Sequence, residues 1–203
     1  MTDFFAAFNV TRRPWLDPET LKTKFLALSA QTHPDRFNSA SASEKESATR
    51  QFADLNAAYN CLRDPKSRLQ HLLELELGAK PSDLQQIPPA LADIFIEIAR
   101  LTRDADDHLI KKSRVTSPLL RAQMFEQDQD LAERLMARQK ALALEQELLL
   151  ARVQVIDKIW LDASGDPVRR PALLDQLQEI WRLLSFFSRW SSQVNERLAR
   201  LAF

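Results

Sequence analysis

The tripeptide His33-Pro34-Asp35 is the part of the sequence whose residue types best suit contact with a partner protein. A proline fixes φ and has no N–H to donate, so it makes a rigid turn that displays its neighbours. A carboxylate displayed in this way can form a charge-assisted hydrogen bond with an arginine of another protein. We therefore predict that His33 and Asp35 are exposed contact residues.

Cys61 and His71 are the other residues whose types could do chemistry, as a nucleophile and its base. They are separated by Asp64-Pro65, and no glycine-rich loop that could stabilise an oxyanion lies nearby. A single cysteine also excludes an internal disulfide and a multi-cysteine metal site. His108 is interpreted as a solitary surface histidine. We predict a protein that is not an enzyme and that has no cofactor and no metal site.

The composition is that of a helical protein. Only two glycines occur in 203 residues, and the commonest residues are good helix formers. A formal net charge of zero argues against binding of nucleic acid. The apolar run at the N-terminus is too short for a signal peptide, and no apolar stretch is long enough to span a membrane. We therefore expect an all-α protein in the cytoplasm.

Proline, glycine and capping residues divide the first part of the chain into helices. Asp17-Pro18 predicts the start of a helix over about residues 19–32, which His33-Pro34 ends. Ser43 with Glu46 predicts a capping box for the next helix, to about residue 62. Asp64-Pro65 separates this helix from a shorter one over about residues 66–77, and Gly78 terminates that helix.

A proline-rich segment, residues 79–89, is the best candidate for a linker. Beyond it, apolar residues at helical spacing predict three further helices over about residues 90–112, 118–161 and 172–201. Helices joined by short loops, each with one apolar face, pack as an antiparallel bundle. The predicted organisation is a helical hairpin domain over residues 1–78, a linker, and a three-helix bundle over residues 90–203.

The turn with His33-Pro34-Asp35 lies between two predicted amphipathic helices, and the second ends in LNAAYNCLRDP (residues 55–65). This arrangement resembles the J-domain, a helical hairpin with His-Pro-Asp at its tip. The resemblance implies that Asp35 engages the ATPase lobe of a DnaK-type chaperone and promotes ATP hydrolysis. It also implies that His33 and Pro34 contact the chaperone. Lys22, Lys24 and Arg36 supply the basic character that J-domains use toward an acidic surface of that partner.

Further segments are similar to the HscB branch of the J-domain proteins. They are DFFAAFNV (residues 3–10), LDPETLKTKF (residues 16–25), HPDRF (residues 33–37) and SRLQHLLELELG (residues 67–78), in which His71 stands where the family has tyrosine. HscB proteins join a J-domain to a C-terminal three-helix bundle. The resemblance implies that the bundle holds the iron–sulfur cluster scaffold protein and that the J-domain delivers it to the HscA/DnaK-type ATPase.

The family's bundle opens with an acidic, methionine-rich helix, whereas this chain has the more apolar LADIFIEIARL (residues 91–101). The residues we expect to face the client here are Leu91, Asp93, Phe95 and Ile96. Two alternatives stay open: delivery of another client, and an interaction protein whose J-domain no longer stimulates an ATPase. Four large rings, Trp181, Phe186, Phe187 and Trp190, form the core or, for one or two of them, an exposed contact.

Overall fold

The computed structural model describes residues 2–32, 41–81 and 87–202. Within these ranges the chain forms seven α-helices and no β-strand, which confirms the all-α prediction. The helices are α1 (Phe4–Ala7), α2 (Pro18–Thr32), α3 (Ala42–Arg63), α4 (Pro65–Leu77), α5 (Ala92–Arg114), α6 (Pro118–Trp160) and α7 (Arg169–Leu201). None of the helices in the described ranges is both long and apolar enough to cross a membrane.

The chain divides into two compact units. The first, unit 1, comprises residues 1–82 together with 150–181, and the second, unit 2, comprises residues 83–149 together with 182–203. Helices α6 and α7 therefore contribute residues to both units. The predicted domain boundaries at residues 78 and 90 stay a prediction. The sequence did not predict that residues 150–181 belong to the same compact unit as the hairpin.

Two of the predicted helix starts are displaced. Helix α3 is capped by Ser41, whose hydroxyl accepts from the Glu44 N–H, while the Glu44 carboxylate accepts from the Ser41 N–H. The predicted pair, Ser43 with Glu46, has the same spacing two residues later, so the local pattern alone does not choose between them. Helix α7 begins at Arg169 rather than Ala172 because Asp166 accepts from the backbone N–H of Arg169.

The ends of helix α4 follow the prediction. The Asp64 side chain accepts from the Ser67 N–H at 2.8 Å, and Pro65 occupies the first turn, where its missing N–H leaves no hydrogen bond unmade. Gly78 ends the helix with φ of 71°, a left-handed conformation that strains any residue with a Cβ. Residues within one turn of each end therefore determine where α4 begins and ends.

Unit 1 has a core that joins the chain start to helices α3 and α4. Its fully buried side chains are Phe5, Phe8, Ala58, Leu62, Leu69, Leu72 and Leu73. Arg68 is also buried, and its guanidinium donates to the carbonyls of Pro14 (2.9 Å) and Leu62 (2.7 Å). Burial lowers the pKa of Arg68 to about 10, so the side chain stays charged at neutral pH and ties the segment before α2 to the end of α3.

A buried carboxylate at the end of helix α6 binds the segment between α1 and α2. Asp157 accepts from Arg13 Nε at 2.9 Å and from the backbone N–H of Trp15 at 3.1 Å, and it forms a second bond with the Arg13 guanidinium. The Trp160 indole N–H donates to the Arg12 carbonyl at 2.9 Å. The same ring lies 3.3 Å beneath the Arg170 guanidinium. The segment that leads into the hairpin and residues 150–181 are thus joined by paired polar groups, of which the Asp157 carboxylate is buried.

Unit 2 is an up-down-up three-helix arrangement. Glu97 of α5 pairs with Arg138 of α6, whereas Asp106, further along α5, pairs with Arg197 of α7 at 2.8 Å. The buried apolar side chains of α5, α6 and α7 fill the space between them: Ile98, Leu101, Ala105, Leu131, Leu135, Leu142, Leu149, Leu184, Phe186, Phe187, Trp190, Val194 and Leu201. This packing agrees with the antiparallel bundle predicted from the apolar stripes.

One expectation about a single side chain was wrong, and one open alternative is decided in favour of the core. His108 is a buried residue, not a surface one: its Nε2 lies 2.7 Å from Asp128 Oδ1, and Lys112 pairs with the other oxygen at 2.9 Å. The aromatic rings of the last helix, Trp181, Phe186, Phe187 and Trp190, are all buried, so none of them is an exposed contact. A helix that is packed on more than one side accommodates rings that point in different directions.

His71 occupies the position where the resembling family has tyrosine, and it lies in the core of unit 1. Its Nε2 accepts a hydrogen bond from the Phe4 backbone N–H at 3.1 Å, and the Phe5 ring stacks on the imidazole at a centroid distance of 5.7 Å. A ring nitrogen that accepts carries no proton, so the imidazole is neutral in the folded chain. Burial lowers the pKa of His71, against the opposing effect of Asp3 and Glu74.

This geometry predicts that unit 1 loses stability in mild acid. The pKa of His71 is lower in the folded chain than in the unfolded chain, so its contribution is complete above about pH 6.5 and is lost as the pH falls below that value. We expect the free energy of unfolding to fall further between pH 7.5 and 5.5 in the wild type than in His71→Gln, which keeps an acceptor and does not titrate. Urea unfolding at both pH values measures the difference, and parallel curves would contradict it.

Candidate functional site

Helices α2 and α3 form the hairpin of the predicted J-domain. The Phe25 ring of α2 stacks on the Tyr59 ring of α3 with centroids 4.1 Å apart and planes 12° apart. Phe8 contacts the same tyrosine at 6.4 Å, so the chain start also packs against the hairpin. Buried apolar residues complete the contact: Leu21, Leu55, Ala58 and Leu62. The LNAAYNCLRDP segment therefore supplies the residues that hold the two helices together.

The tip residues predicted to contact the chaperone, His33, Pro34, Asp35 and Arg36, lie outside the described residues. Helix α2 is described as far as Thr32, and the chain is described again from Ser41, the N-cap of α3. The structure therefore gives the two helices that flank this segment. The roles of the four tip residues stay predictions.

The two lysines assigned to the same surface have different environments. Lys22 is exposed on α2. Lys24 is only partly exposed, and its ammonium donates to the Asn9 carbonyl at 2.7 Å. Lys22 thus presents its charge to solvent, whereas Lys24 also ties helix α2 to the segment after α1. The sequence did not distinguish them, because Asn9 lies fifteen residues away from Lys24.

Cys61 and His71 are each engaged in the packing of unit 1. The Cys61 thiol is half-buried and lies 3.6 Å from the Ser67 carbonyl. Burial raises the pKa of Cys61 to about 11, and Asp64 and Glu74 act in the same direction. A thiol with this pKa is protonated at neutral pH and is a poor nucleophile. In the described part of the chain, no group of three or more histidine, cysteine or acidic side chains is placed to hold a metal ion.

Of the residues expected to face a client, three are accessible and one is not. Asp93, Phe95 and Ile96 are exposed on α5, with Phe95 at 40% and Ile96 at 62% of their full accessibility. Leu91 is buried, which contradicts its expected outward position. It ends a 3₁₀ turn, Pro89–Leu91, that precedes α5, and the helical spacing used to place it does not extend through that turn.

The exposed pair on α5 adjoins the aromatic core of unit 2. The Phe95 ring lies 6.4 Å from the Trp190 ring, so one side of the phenylalanine is supported and the other is open. Glu97, on the next turn, is held by Arg138 of α6. We call the exposed residues Asp93, Phe95 and Ile96 the α5 patch. It has two apolar side chains and one carboxylate. Around the helix Ile96 lies between Asp93 and Phe95, which are about 160° apart, so the α5 patch curves around the helix and is not one flat face.

Sequence reasoning missed the residues that support the hairpin from outside its own helices. Arg13 and Asp157 are 144 residues apart, and Trp160 Nε1 bonds a carbonyl 148 residues away. No local pattern links positions at such separations. The available signals were an arginine and a tryptophan beside Pro14, and an aspartate and a tryptophan at the end of an apolar helix stripe.

Comparison with known proteins agrees with this geometry. The family model of the DnaJ domain matches residues 3–71. The structure of the chaperone HscB from Vibrio cholerae is 21% identical, with a TM-score of 0.57, and the match covers 97% of this chain and 99% of that one. The crystal structure of the human co-chaperone protein HscB is 17% identical, with a TM-score of 0.62, and the match covers 97% of this chain and 82% of that one. Residues 3–71 thus match the DnaJ domain, and the chain has the fold seen in the HscB structures, as the resemblance of its sequence implied.

Proposed function

We propose that this chain is a co-chaperone that stimulates ATP hydrolysis by a DnaK/HscA-type chaperone and delivers a client to it. The observation that carries the proposal is the DnaJ domain match over residues 3–71, on a hairpin whose helix α2 exposes Lys22. His33-Pro34-Asp35 directly follows that helix in the sequence. The intact tripeptide favours a coupled J-domain over an interaction protein that has lost the ability to stimulate an ATPase.

The chemistry of the proposed contact is electrostatic. The carboxylate of Asp35 would pair with an arginine of the ATPase, in a bond that is stronger and more directional than a neutral hydrogen bond. Lys22 would add attraction to an acidic surface, which acts mainly on the rate of encounter. Lys24 has a structural role as well, since its ammonium is bound to the Asn9 carbonyl. In this account the chain donates no group to the hydrolysis step itself and acts by binding.

We propose the iron–sulfur cluster scaffold protein as the client, bound through the α5 patch. The proposal is supported by the HscB-like fold and by an apolar pair, Phe95 and Ile96, that is exposed on a supported helix. The α5 patch is more apolar than the acidic, methionine-rich helix of the resembling family. This difference favours a second candidate, a different client whose binding surface is more hydrophobic than that of the scaffold. The two candidates differ in whether the purified scaffold binds.

The first test addresses the tip. We expect the full chain to raise the single-turnover ATPase rate of its cognate DnaK-type chaperone, and Asp35→Asn to abolish that increase, because the amide removes the charge that the contact requires. His33→Gln should have the same effect. Asp54→Asn is the matched control, since it makes the same change at an exposed position of α3. Full stimulation by Asp35→Asn would remove the proposed mechanism.

The second test addresses the client. Phe95→Ala removes an apolar anchor that typically contributes about 2 kcal/mol, so scaffold binding should weaken about thirtyfold. Titration calorimetry with the full chain and the purified scaffold measures the change, and stimulation of the ATPase without client should stay as in the wild type. Phe125→Ala is the control, because it makes the same change at an exposed phenylalanine of α6 that lies outside the α5 patch.

The same titration separates the two clients. Binding of the scaffold to the wild-type chain that Phe95→Ala weakens and Phe125→Ala leaves unchanged supports delivery of the scaffold. Absence of binding at about 100 µM of each protein would reject the scaffold and favour the second client. Both outcomes leave the ATPase test intact, so the failure of one part of the proposal is distinguishable from the failure of the other.

A further inference from the structure

Helix α6 is apolar on two opposite faces. One face packs into the chain through Leu135, Leu142 and Leu149, all buried. The other carries Leu144 and Leu148, which are 57% and 55% exposed. Since a helix advances 100° per residue, positions 144 and 148 point away from positions 142 and 149. A helix that only lines its own core has a single apolar face, so the second face needs an explanation.

Six of the exposed apolar residues of α6 follow a seven-residue repeat. They are Ala137, Ala141, Leu144, Leu148, Ala151 and Val155, at successive spacings of four, three, four, three and four. All six are exposed in the structure. Alternating spacings of four and three residues form the heptad pattern of a seam between two supercoiled helices, and alanines within it allow a close approach. We call this row the α6 seam.

The charges beside the α6 seam match a second copy of the same helix. In a parallel pair, the residue just before one apolar position faces the residue five places further along the partner helix. Lys140 would therefore face Glu145 of the second copy, and both residues are exposed. Glu133 with Arg138 and Glu147 with Arg152 have the same spacing and opposite charge, although these arginines also pair with Glu97 and Glu179 of their own chain.

An antiparallel pair fits the same charges less well. Placing Leu144 against Leu148 of an antiparallel copy brings Glu145 near its own counterpart and Glu147 near its own counterpart, and like charges across such a seam oppose association. Placing Leu144 against Ala141 brings Lys140 near Glu147 and Arg138 near Glu145, but it leaves Glu133 and Arg152 without an opposite charge. The charges therefore favour the parallel pair, in which all three pairs are formed.

We propose that the exposed face of α6 is a homodimer interface, formed with a second copy of this chain as a parallel two-helix seam about a two-fold axis. Such an interface is self-complementary, as Lys140 and Glu145 require, because each copy supplies both partners. The α6 seam is short and contains three alanines, so it buries little surface and predicts association in the micromolar range. The proposal concerns a surface that the proposed chaperone and client contacts do not use.

Sedimentation velocity of the full chain between about 1 and 200 µM tests the proposal. We expect a concentration-dependent dimer that Leu144→Glu weakens at least tenfold. Because Leu144 is exposed, this change leaves the core unaltered. Leu119→Glu makes the same substitution at an exposed leucine of α6 that lies outside the seam, and it should leave the dimer unchanged. A monomer at every concentration, or a dimer that Leu144→Glu does not weaken, overturns the proposal.

Charge exchange tests the identity of the partner. Lys140→Glu alone and Glu145→Lys alone each place like charges together on both sides of a symmetric dimer, and should weaken it about tenfold. The double variant restores opposite charges and should restore the dimer. Rescue by the double variant is specific to a seam between two copies. Failure of the rescue, or loss of client binding by Leu144→Glu in a monomeric chain, would assign the α6 seam to a different occupant.

The orientation has its own test. In a parallel seam Leu144 faces Leu144 of the second copy, so Leu144→Cys in a Cys61→Ser background should form an intermolecular disulfide on mild oxidation. Leu119→Cys in the same background is the control and should stay reduced. A disulfide at neither position, or at both equally, would reject the parallel seam. The ATPase and calorimetry experiments are unaffected by any of these results.

Discussion

The organisation of unit 1 depends on one buried carboxylate. Asp157 lies at the end of helix α6 and accepts from the Arg13 guanidinium and the Trp15 N–H on the segment that leads into helix α2. Removing a carboxylate from water is unfavourable unless its oxygens are bonded, so loss of Arg13 would leave Asp157 buried without its charged partner and would destabilise unit 1. The start of the J-domain hairpin is therefore positioned by a residue that lies far outside residues 3–71.

A second set of contacts also joins residues 150–181 to the rest of unit 1. Arg170 lies over the Trp160 ring, donates to the Trp160 carbonyl and pairs with Glu76 of α4. The hairpin, the end of α4 and residues 157–170 thus share one network. Helix α2, which exposes Lys22, is one of the elements that this network holds. A substitution at Asp157 would therefore weaken the proposed chaperone contact by displacing helix α2, because Asp157 itself is not part of that contact.

Local signals in the sequence were sufficient to predict where most helices begin and end. They were insufficient to predict which residues of other helices each one contacts. Asp64-Pro65 and Gly78 marked helix ends because caps and left-handed residues act within one turn. The cap of α3 was placed at Ser43 instead of Ser41, and local signals do not separate the two because both precede a glutamate at the same spacing. Leu91 was misplaced because it ends a 3₁₀ turn, through which the α-helical spacing does not extend. His108 was misplaced for a different reason: it pairs with Asp128, twenty residues away, and helical periodicity does not register such a pair.

The central claim is that the chaperone binds helix α2 and the segment that follows it. Hydrogen–deuterium exchange of the full chain, with and without an excess of its ATP-bound DnaK-type chaperone, tests this most directly. The account predicts slower exchange over residues 18–40 in the complex, with exchange over residues 91–101 unchanged in the absence of client. A complex that slows exchange over residues 91–101 and leaves residues 18–40 unaffected would contradict it.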